Sequence, residues 1–180
     1  MNRHKVFVSF HHANDQIWKD RFEAIFHDYA EVIVTRSVQD GDIDPNIHPE
    51  TARRMIRDEY LRDATVTVVL VGHETWKRRF VDWEISSTLR DTEFNPRGGL
   101  LGILLPTFPL NPDRSYNPRI IPPRLHDNVA SGYARLYSWT ENPASLQQWI
   151  HEAFVRRNEN PPPVNSRELF RYNRTTDSWS

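Results

Sequence analysis

The run TVTVVLVGHETWKRRFVDWEI, residues 65–85, decides how the chain is read. Its first seven residues form an unbroken, β-branched-rich series, the pattern of a strand buried on both faces. Gly72 ends the series, a polar, aromatic and basic loop follows over 73–79, and an amphipathic segment carries Trp83 and Glu84. In open α/β sheets, ligands bind just beyond the carboxyl ends of the strands. A loop there holding Trp76, Arg78 and Arg79, with the Glu84 carboxylate close behind, is the first place to look for chemistry.

Working outward, residues 5–10 (KVFVSF) predict a strand, and Asn14 or Asp15 is expected to cap the helix that follows. Ile17, Trp18, Phe22, Ile25, Phe26 and Tyr29 recur at helical spacing and predict its buried stripe. A second strand is expected over 31–35. A polar loop over 36–48 then contains the turn formers Asp40 and Asp42, and Pro49 suits the first position of a helix buried through Ala52, Met55, Ile56 and Tyr60. After the central strand, a helix is expected from about 80 to 91, with Val81, Ile85 and Leu89 inward and Glu84 at the border of the stripe. Residues 100–105 (LLGILL) read as a fourth buried strand. The Pro-rich stretch 106–132 predicts a long structureless connection, of the kind usually functional or disordered. An edge strand over 134–139 and a helix beginning at Asn142-Pro143, with Leu146, Trp149, Ile150, Ala153 and Phe154 inward, complete the pattern. This alternation predicts an α/β, flavodoxin-like three-layer sandwich with a central parallel sheet.

The 180 residues suit one domain with a single sizeable core. Cysteine is absent, which removes disulfides and thiolate zinc sites. His11, His12 and His73 have no ligand spacing behind them, so no metal is expected. A formal net charge of −1 supplies no general attraction to nucleic acid or anionic membranes. The opening residues lack a signal-peptide pattern, and no apolar stretch approaches the roughly 20 residues that span a bilayer. The expectation is a soluble, cytoplasmic protein. No G-x-G-x-x-G, P-loop or G-x-S-x-G motif is present, and the strand ends lack the acidic residues of a phospho-acceptor domain.

Two stretches together, VFVSFHH over 6–12 and VTVVLVGHETWKRRFVDWEI over 66–85, resemble the TIR-like domain family of the bacterial Thoeris anti-phage protein ThsB. Phe80-Val81-Asp82-Trp83-Glu84-Ile85 is the counterpart of the family's aromatic-then-glutamate helix. The resemblance implies a TIR-like domain over 1–158, with 159–180 as a Pro-rich polar tail that packs on the surface or dangles. It also implies cleavage of the nicotinamide–ribose bond of NAD⁺, which is substrate and not cofactor. The product would be a cyclic or conjugated ADP-ribose signal read by a separate ADP-ribose-sensing effector. A phage-derived trigger and TIR–TIR homo-oligomers are further implied partners. Carried over by position, Glu84 is the catalytic carboxylate, Ser9, Phe10 and His11 line the substrate cleft at the end of the first strand, and Trp76 lies beside it.

The chemistry is coherent. Breaking an N-glycosidic bond passes through an oxocarbenium-like state that a carboxylate stabilises. Trp76 or Phe10 offers a stacking surface, and Arg78 or Arg79 offers charge-assisted contacts to a diphosphate. Two alternatives stand beside it: a TIR-like interaction module without catalysis, and a nucleoside-transferase-like enzyme that also uses a glutamate.

Overall fold

The computed structural model describes residues 3–29, 32–39 and 41–180. Five strands form one sheet: β1 (His4–Ser9), β2 (Val32–Val34), β3 (Val66–Val71), β4 (Gly99–Leu104) and β5 (Arg135–Ser138). All neighbours are parallel, in the order β2-β1-β3-β4-β5. That is the flavodoxin-like order, and the architecture is α/β as the alternation predicts. Every residue of β3 and β4 is buried, the consequence of helices covering both faces. The direction of connection reverses between β1 and β3, which leaves a crevice beyond their carboxyl ends.

Side-chain alternation divides the core. Val6, Val8, Phe10, Val66, Val68, Leu70, Leu101 and Ile103 pack on one face against Phe22 of α1 (His12–Ile25) and Leu146, Ile150 and Ala153 of α5 (Pro143–Arg156). On the other face, Val69, Val71, Leu100 and Leu104 meet Val81, Ile85 and Leu89 of α3 (Arg79–Leu89) and Leu125 of α4 (Pro123–Ser131). Phe7, on that same face, packs with Trp83 and with Ala52 of α2 (Pro49–Met55), which continues as a π-helical turn over Ile56–Tyr60. Pro49 opens α2 and Asn142 caps α5, its Oδ1 accepting from Ala144 and Ser145. The edge strand β5 pairs only with β4 among the described residues.

Several expectations change. The N-cap of α1 is His11, so Asn14 and Asp15 lie inside the first turn of the helix. Ile17 is exposed, because the face of α1 that meets the sheet is centred on Phe22, and Tyr29 is exposed because it lies beyond the end of the helix at Ile25. The stretch 106–132 is not structureless: it holds a short 3₁₀ turn, Pro118–Ile120, and all of α4. Pro122 and Pro123, two of the prolines of that stretch, occupy the N-cap and first turn, where a missing N–H costs nothing. Asp42 does form a turn, accepting from Gln39 N and from Tyr60. Asp40 and Glu31, the first residue of the expected second strand, lie outside the described residues.

Candidate active site

Glu84 lies on the inner side of α3 and is only 3% exposed. All residues from Val81 to Leu89 are buried, so this helix is covered all round and is not the half-exposed amphipathic helix of the sequence pattern. Its polar side chains are satisfied internally. Thr88 Oγ1 lies 2.7 Å from Thr67 Oγ1, and Ser87 Oγ donates to Trp83 O. Glu84 Oε2 accepts a short hydrogen bond from the hydroxyl of Ser9, the last residue of β1. Burial pushes the Glu84 carboxyl up to about 8, and the bond from Ser9 opposes part of that rise. At neutral pH the resting carboxyl is therefore mostly protonated.

The other groups at the ends of β1 and β3 take separate positions. Phe10 points to the opposite sheet face and stacks on His12 with centroids 4.1 Å apart. His11 is buried at the start of α1. Trp76 sits in the 3₁₀ turn Thr75–Lys77 and is 2% exposed, with Lys77 Nζ 5.9 Å from its ring centroid. Thr75 anchors this turn by accepting from Gly72 N at 2.8 Å. Arg78 and Arg79 are half-buried at the start of α3, as its N-cap and first residue. The Arg79 guanidinium lies over Phe80 and Trp83 and donates to Arg171 O at 3.2 Å. It also lines a cavity of about 540 Å³ that includes His48, Leu169 and Tyr172. The structure thus brings Glu84 and Ser9 together and sets Arg79 on a separate, outer surface.

Two residues not singled out for chemistry also belong to this crevice. Asp15 is 3% exposed, and its carboxylate fills the space a side chain on Gly72 would need. Among the described residues its Oδ2 has no hydrogen-bond partner, and burial raises the carboxyl to about 6. The cue in the sequence was an acid one helical turn beyond a strand end. Its competing use as a helix cap hid it. Among the described residues, no group of three or more His, Asp or Glu is arranged to hold a metal ion. No helix among them is long and apolar enough to cross a membrane.

A flavodoxin-like sheet with a buried Ser–Glu couple at the reversal of strand order is the framework on which the similarities to known proteins fall. The chain belongs to the family described as Thoeris protein ThsB, TIR-like domain, whose model matches residues 7–108. The matched span contains Ser9, Asp15, Gly72, Trp76 and Glu84. No curated protein matches the chain. Among solved structures, it is similar to the TIR domains of the activated Roq1 resistosome directly recognizing the pathogen effector XopQ, at 12% identity and a TM-score of 0.36, over 87% of this chain and 85% of that one.

Proposed function

We propose that this TIR-like domain cleaves the nicotinamide–ribose bond of NAD⁺ in the cytoplasm and makes an ADP-ribose-derived signal, cyclic or conjugated, that activates a separate effector in anti-phage defence. The observation that carries this reading is the buried Glu84 carboxyl, held by Ser9 at the reversal of strand order, in a chain of the Thoeris ThsB family. In the reaction the glycosidic bond breaks and its electron pair leaves with the nicotinamide nitrogen, which neutralises the pyridinium. Water or a second nucleophile then bonds to the anomeric carbon and gives up a proton.

Glu84 serves both halves. The approaching pyridinium favours the carboxylate over the acid, and the carboxylate then stabilises the oxocarbenium-like state. Ser9 fixes the orientation of the carboxyl. With Glu84 3% exposed, turnover requires that the carboxyl be uncovered, which fits an enzyme silent until a phage-derived trigger and TIR–TIR assembly act on it. The same burial favours a second reading, a TIR-like interaction module that binds without catalysis.

Incubating the protein with NAD⁺ and a phage lysate, wild type against Glu84→Gln, separates the two. Wild-type release of nicotinamide, abolished by the substitution, supports the enzyme. Absence of NAD⁺ loss in both, with trigger present, sinks it.

A further inference from the structure

Residues 164–174, beyond the span the family model matches, run as an extended strap over the outside of α3 and α4. They carry little apolar periodicity, and their attachment is largely through backbone groups. Phe170 N donates to Asp82 Oδ2 at 2.9 Å, and Phe170 O accepts from Trp83 Nε1 at 2.7 Å. One strap residue thereby holds the two residues immediately before Glu84. The Phe170 ring is itself buried.

The start of α3 is tied in the same way. Its N-cap residue, Arg78, supplies no side-chain cap, and Asn173 Oδ1 accepts from Arg79 N at 3.0 Å in its place. Arg174 N donates to Lys77 O at 2.8 Å, and Arg171 O accepts from Arg79. At the other end, Asp82 forms a buried two-pronged pair with Arg124 of α4, at 3.0 and 3.3 Å. The same guanidinium donates to Asn165 Oδ1, Arg167 O and Glu168 O. Asn165 returns a bond to Ser86 O at 3.1 Å, two residues past Glu84.

We infer that the 164–174 strap is a positioning element for Glu84: Asn173 caps α3 in trans and the Phe170 peptide brackets Asp82 and Trp83, and together they set the rotation and depth of the helix that presents the carboxyl to Ser9. The bonds of the strap go to the neighbours of Glu84, namely Asp82, Trp83 and Ser86. It acts through the helix, whose first turn has no internal cap and would otherwise fray.

The test uses the full chain with Asn173→Ala and Asn173→Asp, both at an exposed side chain. The carboxyl titration of Glu84 is followed by ¹³C NMR, assigned with Glu84→Gln, and amide exchange is followed over the first turn of α3. In Asn173→Ala, first-turn exchange accelerates by about fivefold, the size of one lost N-cap. The Glu84 midpoint also falls from about 8 toward the ordinary carboxylate range as water reaches it. Asn173→Asp, which still caps and complements the helix dipole, restores both. Unchanged titration and unchanged exchange in Asn173→Ala overturn the inference.

A kinetic arm rests on the NAD⁺-cleavage reading: kcat falls in Asn173→Ala with KM unchanged and recovers in Asn173→Asp. A wild type that never consumes NAD⁺ defeats that reading alone, since titration and exchange still decide the role of the strap.

Discussion

Ser9 and Glu84 stand 75 positions apart in the chain, and the serine hydroxyl donates directly to the glutamate carboxyl inside the protein. The bond spans from the end of β1 to the second turn of α3, joining two elements that the parallel sheet brings side by side through β3. A buried carboxyl with one hydroxyl partner is a costly arrangement, and its cost depends on pH.

Glu84 makes the fold less stable as pH rises. Its folded value of about 8 stands above the ordinary 4.5, so the folded state holds the proton more tightly than the unfolded chain does. The associated stability is complete below about 4.5 and is lost progressively as pH climbs through about 8, a change on the order of a few kcal/mol. Glu84→Gln mimics the protonated acid and still accepts from Ser9. Its melting temperature should match wild type near pH 4.5 and exceed it at pH 8. Equal melting temperatures at pH 8 would show that the carboxyl is not held in an apolar setting.

Ser9→Ala removes the hydrogen bond that the Glu84 carboxyl accepts inside the protein. The Ser9 bond lowers the Glu84 value, so its loss should push the carboxyl above about 8. A buried acceptor left without its donor costs about 1–3 kcal/mol. Urea denaturation measures the stability loss, and NMR titration measures the shift. A downward shift would contradict the assigned donor.

Gly72→Ala should destabilise the protein by about 1–3 kcal/mol, because the new methyl would overlap the Asp15 carboxylate. A double-mutant cycle with Asp15→Ala isolates the effect. The methyl should be far better tolerated once the carboxylate is gone, giving a coupling above about 0.5 kcal/mol. Additive losses would mean that Gly72 is required for its backbone and not for the space that Asp15 fills.

Arg124→Met breaks the pair with Asp82 and leaves a buried carboxylate without its partner, both side chains being 3% exposed or less. Loss of one member of such a pair costs about 3–5 kcal/mol. The same guanidinium holds three strap groups, so limited proteolysis should cut the variant first within 164–174. Cleavage beginning elsewhere would show that the strap is anchored independently of Arg124.

Much of the architecture was legible in the chain. The β-branched runs, the Gly72 break and the proline and asparagine signals at Pro49 and Asn142 act through neighbours in sequence, and each marks an element near its observed bounds. Helix α4 was not, because Pro122 and Pro123 look the same whether they break a helix or begin one. Asp15 failed as a cap for a related reason. An acid near a helix start can turn to its own backbone or to the interior, and the approach of Gly72 decides between them.

By itself the sequence determined the parallel sheet, the helix that carries Glu84 and the family to which the chain belongs, since all three rest on local patterns within residues 7–108. Tertiary structure alone decided that Glu84 is buried, that Ser9 is its partner, and that α3 is capped by Asn173, ninety-four positions from Arg79. Strand runs announce themselves because apolar side chains must repeat with the period of the backbone. The strap binds mainly through peptide N–H and C=O groups, which every residue but proline carries alike, and such groups leave no mark in a sequence until the fold brings their partners to them.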